Sequence, residues 1–384
     1  MDLLLQIIAI TAALLTLCGI GYLVASLAGL RRFILLSDPI DEALPPVTVL
    51  KPLHGAEPRL YENLASFCRQ THPTFQIVFG VRLSDDPAIE IVRQIQADFP
   101  DLDLTLVVDP AVHGTNYKIS NLMNMLGAAK HEILAIADSD MAVAPDYLKI
   151  LATALKRPEI GLVTCLYAGR PLEGIWSRLG AAHISHGFFP SVLVGRLVNG
   201  RAGCFGATMA LRRTDLEAIG GLATLKDLLA DDYFLGAKVQ ALGKKLHLTG
   251  MVVDDHVFEP SLKTLFLHEL RWARTIRSIA PLDFAGTLVT HPLAWSLVAL
   301  LFSLGETWAI ALCAAAFAVR VMTIRVFDHT LGTPRTPTYL IPIRDLLSFV
   351  VLAAAYSGRS VAWRDRWFRV DANGQLVIDG DRPT

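Results

Sequence analysis

Hydrophobic and polar positions change their pattern three times along the chain. Residues 3–30 carry no charged side chain, and Arg31 and Arg32 follow at once. A helix needs about 20 apolar residues to cross a bilayer, so this run predicts an N-terminal transmembrane anchor over 1–32. A cleaved signal peptide would show a basic leader and a shorter apolar core, whereas this run is long and opens with Met1 and Asp2. From 41 to 280, short β-branched runs alternate with amphipathic stretches. Strands are predicted at 47–50, 75–81, 102–108, 133–137 and 161–166, and helices at 58–69, 87–99, 119–129 and 145–155, several opened by a proline as the first turn permits. This alternation predicts an α/β domain with a mostly parallel sheet and helices on both faces.

Beyond that domain, residues 284–319 hold Glu306 as their one formally charged side chain. They predict a transmembrane hairpin that turns near Gly305 and Glu306 and returns to Arg320 and Arg325. A last apolar stretch, 346–358, is shorter than the roughly 20 residues of a span, and Arg344, Arg359, Arg364, Arg366 and Arg369 flank it. It reads as re-entrant or interfacial. The expected organisation is an anchor at 1–32, a catalytic domain at 40–280, a hairpin at 284–325, a re-entrant or interfacial segment at 339–369 and a tail at 370–384. Placing the arginine clusters on the inner side, as the positive-inside bias favours, puts the catalytic domain in the cytoplasm of a multi-pass membrane protein.

Composition sharpens this reading. Of 384 residues, 53% are hydrophobic and only 18% charged, and the mean hydropathy is +0.44. Soluble domains carry about 25% charged residues, so the deficit belongs to segments out of water. The 35 basic and 36 acidic side chains balance, which excludes a nucleic-acid binder driven by bulk charge. Cys18, Cys68, Cys165, Cys204 and Cys313 are scattered without metal-ligand or disulfide spacing.

In open α/β sheets, ligands bind at the carboxyl ends of the strands. Neither a dinucleotide fingerprint nor a P-loop follows the first strand. The residues that do follow strands are acidic: Asp86 after the second, Asp138-Ser139-Asp140 after the fourth, and Asp231-Asp232 opening a later helix. Hard carboxylate oxygens at such an edge suit a divalent cation and a phosphorylated ligand. Each also has a plainer reading: Asp138 and Asp140 as turn or capping residues, Asp231 and Asp232 as a favourable pair at a helix N-terminus, and Lys118 as a solvated helix end rather than a phosphate partner. One of Asp231 and Asp232 could serve as general base. Arg271-Trp272, on a helical stretch leading to the hairpin, fits an interfacial anchor as well as a site.

Taken in order, Asp86, Asp138 to Asp140, Asp232 and Arg271-Trp272 resemble the motif series of membrane-bound processive-type and ceramide-type glycosyltransferases with a GT-A fold: a first Asp, a DxD, a later Asp and a (Q/R)xxRW box. The resemblance covers essentially the whole chain. Lys51-Pro52-Leu53-His54-Gly55, the NYKISN run from Asn116 to Asn121 and Ala230-Asp231-Asp232-Tyr233 resemble the ceramide glucosyltransferase family. His268-Glu269-Leu270-Arg271-Trp272, Arg274-Thr275-Ile276-Arg277 and the GLVTCLY run from Gly161 to Tyr167 are similar to bacterial hopanoid-biosynthesis glycosyltransferases. Two positions depart from the pattern: His268 stands at the first place of the (Q/R)xxRW box, and Leu83 stands where the ceramide-type pattern has an Asp.

The resemblance implies a UDP-sugar donor, a lipid acceptor (bacteriohopanetetrol receiving N-acetylglucosamine, or ceramide receiving glucose) and a divalent cation, Mg²⁺ or Mn²⁺. It implies Pro52 and Asp86 at the uridine, Lys118 and Asp138 at the nucleotide or diphosphate, Asp140 at the metal, Asp232 as base, and Arg271 with Trp272 at the leaving group. It also implies a bacterial inner-membrane location. His183, His186, Gly203 and Cys204, with Phe205 and Gly206, are candidates for the acceptor side, with loop and core packing as their plainer reading. A polysaccharide-extruding synthase would need more spans, and a degenerate membrane scaffold would not keep the acidic set. A periplasm-active reporter fused after Thr384 is expected to stay silent; activity would overturn the predicted topology.

Overall fold

The computed structural model describes residues 3–36, 38–200, 203–358, 360–363, 366–370 and 375–378. Met1, Asp2, Arg359, Arg364 and most of the expected tail lie outside the described residues. The chain divides into a helical unit (Met1–Ile34, Gly169–Gly200, Val257–Thr384) and a sheet unit (Leu35–Ala168, Arg201–His256). The expected 40–280 domain therefore gives up Gly169–Gly200 and residues 257–280 to the helical unit.

The chain opens with α1 (Leu3–Ile34) and continues through β1 (Val47–Pro52), α2 (Leu60–Cys68), β2 (Phe75–Val81), α3 (Ala88–Asp98), β3 (Asp103–Val108), α4 (Tyr117–Met125), β4 (Ile133–Ile136), β5 (Met141–Ala142), α5 (Tyr147–Leu155) and β6 (Ile160–Pro171). Next come α6 (Gly174–His183), a π-helical turn (Ile184–Phe188) and α7 (Phe189–Asn199), then β7 (Met209–Arg212), α8 (Arg213–Ala218), α9 (Asp231–Ala241) and β8 (Lys245–Val257). The chain proceeds through α10 (Leu262–Ile279), α11 (Pro281–Gly286), α12 (Pro292–Phe302), α13 (Thr307–Leu331) and α14 (Leu340–Ala355) to a small antiparallel sheet of β9 (Ser360–Trp363), β10 (Arg366–Val370) and β11 (Leu376–Ile378).

In the sheet unit the strand order is β3-β2-β1-β4-β7-β6-β8-β5. The strands β3, β2, β1 and β4 are parallel, as the alternation with helices predicts, but β4–β7, β7–β6 and β8–β5 are antiparallel. The sheet is thus mixed rather than mostly parallel. Only β5 follows its predecessor directly; helices α6 and α7 precede β7 and helices α8 and α9 precede β8, yet both strands run antiparallel to a neighbour. Helices do cover both faces. Val47 and Val49 of β1 join the core under α2, α3 and α5, while Leu50 joins the core under α4, α8 and α9. Thr48, on the same face as Leu50, satisfies its buried hydroxyl by donating to Gln76 Oε1 at 3.0 Å. The β1–β4 register pairs Leu50 with Ile136, so the chain exits both strands on one edge, carrying Lys51-Pro52 and Ala137-Asp138.

In the helical unit, α1 and α13 are, among the described residues, the helices long and apolar enough to cross a membrane. The first arm of the expected hairpin differs from the sequence reading. Pro281–Thr290 and Pro292–Phe302 reach a span's length only together, bent by 62° at the Pro292 break, where a proline cannot donate to the helix ladder. The turn falls as expected, with Leu304 and Gly305 at positive φ. The second arm runs on through Arg320 and Arg325 to Leu331. Arg320 is 7% exposed and chelates Asp345 through Nε and Nη2 at 2.8–3.1 Å, and Arg344 chelates Glu269 at 2.6 and 2.7 Å. The two arginines are therefore buried ion-pair partners, not members of solvated flanking clusters. The expected re-entrant stretch belongs to α14, which starts earlier, at Leu340; its 16 residues reach about 24 Å at 1.5 Å per residue, short of the roughly 30 Å hydrocarbon core.

The buried side of α1 repeats at alternating intervals of three and four: Ala9, Ala12, Thr16, Gly19, Leu23, Ser26, Leu30, Phe33. That is a heptad seam of mostly small residues, which lets helices approach closely in a lipid environment where apolar burial gives no driving force. Thr16 and Ser26 return their hydroxyls to their own helix, on Ala12 O and Leu23 O. The opposite face exposes Leu3, Ile7, Ile10, Leu14 and Leu17. At Gly19 a Cβ would lie 2.7 Å from Val289 O and 2.8 Å from Pro292 Cβ, whereas at Gly21 nothing lies within 4 Å. Gly19→Leu is expected to destabilise the detergent-solubilised protein by about 1–3 kcal/mol, the cost of overpacking, while Gly21→Leu leaves the thermal midpoint in place. Equal effects would refute the seam.

Candidate active site

The edge where β1 and β4 end collects the charged residues of the sheet unit. Lys51, at the end of β1, is fully buried. Its Nζ donates to the Asp138 carbonyl and sits 4.1 Å from the centre of the Phe67 ring. Burial pushes its ammonium down to about 8, although Asp140, Asp138 and Glu57 hold it up. The DxD turn is pinned from several sides. Ser139 donates to Glu57 Oε2 at 2.8 Å, Asn63 Nδ2 donates to Ser139 O at 3.3 Å, and the His256 N–H donates to Asp140 O at 3.1 Å.

The NYKISN run supplies the cation. Asn116 caps α4 by accepting the Ile119 N–H at 3.1 Å, which fixes Lys118 in the first turn. Lys118 is not a solvated helix end: its Nζ lies 2.7 Å from Asp138 Oδ1 and 3.3 Å from Asp231 Oδ2, with 14% of the side chain exposed. Burial opposes its charge, but Asp138, Asp231 and Asp232 outweigh burial and hold the ammonium above its ordinary value.

Asp232, in the first turn of α9, accepts the Gly206 N–H at 3.0 Å and the Tyr233 N–H at 2.8 Å. Burial and then Asp231 push its carboxyl up to about 6, with Lys118 pulling the other way. Gly206 marks the centre of the cluster. A Cβ there would stand 3.0 Å from Asp138 Oδ2, 3.5 Å from Lys118 Nζ and 3.8 Å from Asp232 Oδ2, so this backbone approaches the acids as only glycine can.

Asp140 is the least compensated carboxylate. Its Oδ1 is buried without a hydrogen-bond partner, and burial, then Asp138 and Glu57, push its carboxyl up to about 7 despite Lys51. Asp255 adds to the crowding from β8, paired opposite Met141; burial, then Asp140, Asp138 and Glu57, push it well above its ordinary value. Among the described residues no three His, Cys, Asp or Glu side chains are already arranged as a metal-ligand set. An orphaned hard oxygen beside carboxylates that resist ionisation is nevertheless an arrangement that a divalent cation relieves.

The sequence-derived candidates thus fall into groups. Asp138, Asp140, Lys118 and Asp232 share one cluster. Asp86 faces inward: its carboxylate accepts the Gly55 N–H at 3.0 and 3.2 Å and the Ala88 N–H at 2.9 Å, tying the loop after Pro52 to the start of α3. Gly203 lies against the Phe205 ring, where a Cβ would meet Phe205 Cζ at 2.8 Å, and Cys204 packs against Gly236 of α9. Burial, then Asp232, raises the Cys204 thiol well above its ordinary value. Lys51, Glu57 and Asp255 hold places in the cluster for which sequence reasoning gave no individual role, and Gly206, an acceptor-side candidate, lies against Asp138, Lys118 and Asp232. The one sequence signal for Asp255 is its position after the apolar Met251-Val252-Val253.

His186, Arg271 and Trp272 belong to the helical unit. His186 is buried in the π-helical turn with Nε2 2.7 Å from Asp328 Oδ1. Helix α10 starts at a reciprocal Ser261–Thr264 capping box. The Trp272 ring stacks on His183 at 6.0 Å and tilts against His268 at 4.2 Å; His268 Nδ1 in turn bonds Glu259 at 2.8 Å. The unusual first residue of the (Q/R)xxRW box therefore helps hold its last.

Several known proteins share this architecture. A mannosyltransferase from Pyrobaculum calidifontis, solved with GDP-Man and Mn²⁺, superposes with a TM-score of 0.55 at 22% identity, over 92% of this chain and 98% of that one. This likeness establishes the GT-A type of α/β fold. Ceramide glucosyltransferase 1 of Caenorhabditis elegans is 23% identical over 350 residues, 88% of this chain and 74% of that protein. Ceramide glucosyltransferase 3 of the same organism is 24% identical over 63% of this chain and 52% of its own length. The model of glycosyl transferase family 21 matches residues 11–376, and the chain is a glycosyltransferase belonging to that family.

Proposed function

We propose that this enzyme transfers a sugar from a UDP-sugar to a hydroxyl group of a membrane lipid, with inversion at the anomeric carbon. The observation that carries the reading is the convergence at Gly206, where Asp138, Lys118 and Asp232 surround one point at 3.0–3.8 Å. A cation-neutralised acidic turn and a general-base carboxylate thereby share one edge of the sheet. In the proposed step, Asp232 takes the proton of the acceptor hydroxyl as its oxygen attacks the anomeric carbon. The bond to UDP breaks on the opposite face and the electron pair leaves with the diphosphate, so an α-linked donor gives a β-linked product. Lys118 meets the charge developing on the diphosphate. Pro52 and the loop gripped by Asp86 border the nucleoside.

The orphaned Oδ1 of Asp140 fits a hard divalent cation, Mg²⁺ or Mn²⁺, whose chemistry there would be to neutralise the diphosphate. Arg271 and Trp272 are assigned to the leaving group by their place in the motif. The exposed apolar face of α1 and the length of α13 support a membrane-embedded protein acting on a lipid, and Arg31 and Arg32 support a cytoplasmic catalytic domain.

Two acceptors are in play. The His268–Trp272 box and the 161–167 run favour N-acetylglucosamine transfer to bacteriohopanetetrol, whereas the nematode relatives favour glucose transfer to ceramide. Mass spectrometry of lipids after incubation with Mg²⁺, both UDP-sugars and both acceptors separates them: N-acetylhexosamine on the hopanoid is expected, hexose on ceramide would assign the other branch, and no glycolipid would overturn the function.

The raised carboxyl of Asp232 fixes the pH dependence. A base whose pKa is about 6 is protonated and idle below that pH, so kcat/KM should fall about tenfold per unit on the acid side and level off above it. Raising Mg²⁺ should move the acid limb to lower pH, because the cation competes with the proton at Asp140, whose carboxyl lies at about 7. Asp232→Asn should cost about 10²–10⁴ in kcat and leave only the Mg²⁺-sensitive part of the limb that belongs to Asp140, while UDP-sugar binding survives; unchanged lipid glycosylation would remove Asp232 from catalysis.

A further inference from the structure

Within the helical unit, a cavity of about 320 Å³ opens beside the π-helical turn, large enough for a small polar headgroup. Its buried wall is built around His186 and Asp328. The Asp328 carboxylate accepts the Thr336 N–H at 2.9 Å and the Thr333 hydroxyl at 3.2 Å, which shapes the loop after α13 into the facing wall. Arg325 adds to that hold, with Nη1 3.4 Å from Asp328 Oδ2. Since a carboxylate only accepts, the proton in the 2.7 Å contact to His186 sits on Nε2. The other ring nitrogen, Nδ1, is then a bare acceptor, and it is buried with no partner in a residue 4% exposed. Burial keeps this imidazole neutral, so the acceptor character persists at ordinary pH. A π-helical turn at this spot is itself a departure from the α-helix that recurs at functional sites.

The mouth has the opposite character. Arg178 and Arg335 line it, both are exposed, and neither has a carboxylate or other hydrogen-bond partner among the described residues. Arg178 also borders a shallower recess lined by Ile175 and Tyr339, exposed by 41% and 67%. An amphipathic tyrosine beside arginines, just beyond the end of a helix long enough to span, suits the headgroup level of a bilayer.

We propose that this cavity binds a phosphate ester carrying free hydroxyl groups, supplied as the headgroup of an anionic membrane lipid. The phosphate oxygens pair with the guanidiniums of Arg178 and Arg335, whose planar donors match them. The headgroup hydroxyls lie against the polar wall lined by Ser185, His186 and Thr336. The start of an acyl chain lies along Ile175 and the Tyr339 ring in the shallower recess. A zwitterionic choline headgroup lacks the hydroxyl and brings a cation towards two arginines, and an uncharged lipid leaves both guanidiniums unanswered. The inference does not depend on the sugar-transfer chemistry, because binding can be read without donor or acceptor.

The test uses the full chain in detergent, with thermal midpoint and native mass spectrometry as readouts and short-chain phosphatidylglycerol, short-chain phosphatidylcholine and glycerol 1-phosphate as probes. Phosphatidylglycerol should bind and raise the midpoint, and phosphatidylcholine should not. The Arg178→Gln/Arg335→Gln variant should keep the ligand-free midpoint and bind phosphatidylglycerol roughly tenfold more weakly for each guanidinium removed. Binding of glycerol 1-phosphate as tight as that of the lipid would sustain the site and assign it to soluble phosphate esters. Equal binding of both lipids, or full binding by the double variant, would overturn the proposal.

Discussion

The sheet unit concentrates at one edge an excess of negative charge, part of it buried. Asp138, Asp140, Asp231, Asp232, Asp255 and Glu57 gather about Lys51 and Lys118, and two ammonium groups cannot neutralise them all. Burying a carboxylate is costly unless it is paired or hydrogen-bonded, and the chain meets that cost unevenly. Asp138 has Lys118 at 2.7 Å and Asp232 has two backbone N–H donors, whereas Asp140 keeps an oxygen with nothing to accept. The protons that Asp140 and Asp255 tend to retain express the same shortage. Charge missing from the protein defines what a ligand must bring: a cation for Asp140 and, with it, an anion for which Lys118 is already in place.

The fold makes this concentration possible because β1 and β4 are adjacent, parallel and in register, so that they release Lys51 and the DxD turn at the same edge. The two strands and the acids after the second were legible in the sequence; their adjacency and register were not. Four-residue apolar runs followed at once by Asp are strong signals when strand and helix alternate, and Phe75–Val81 falls where the pattern put it. The antiparallel half was not legible, since its strands are joined by excursions whose length says nothing of pairing. Asp255 comes to Asp140 only through the β5–β8 ladder, in which Met141 faces Asp255. Lys51 reads in sequence as the residue after the strand predicted at 47–50, and only the packing of Phe67 and the Asp138 carbonyl around it shows its place in the cluster. Gly206 shows the same limit, because its closeness to three charged groups is a property of the folded chain.

The membrane segments divide in the same way. Length and lack of charge identify α1 and α13, because crossing hydrocarbon imposes a minimum run. The bend before Pro292 carries a local signal in its proline, yet the apolar run passes through it unbroken. Arginines near the ends of apolar runs normally mark the water side, and that rule misplaces Arg320 and Arg344 because their partners, Asp345 and Glu269, lie far along the chain.

These buried pairs show why the unpaired groups are informative. In the helical unit Arg320 and Arg344 each meet one carboxylate in a bidentate grip, a closed arrangement that offers little to a ligand. Removing one partner would leave a bare charge, so such pairs hold helices in register without doing chemistry. Glu269 lies two residues before Arg271, and through Arg344 it ties α10 to α14, so the box is held by a group that need not touch substrate. The Asp140 oxygen and the His186 nitrogen are different in kind. Each is buried, each belongs to a network that satisfies its neighbours, and each is itself left over. Other buried atoms, among them His72 Nε2, Asn121 Oδ1 and Arg274 Nε, are left over as well; what sets Asp140 and His186 apart is place, one beside carboxylates that resist ionisation and the other in a residue that lines a cavity.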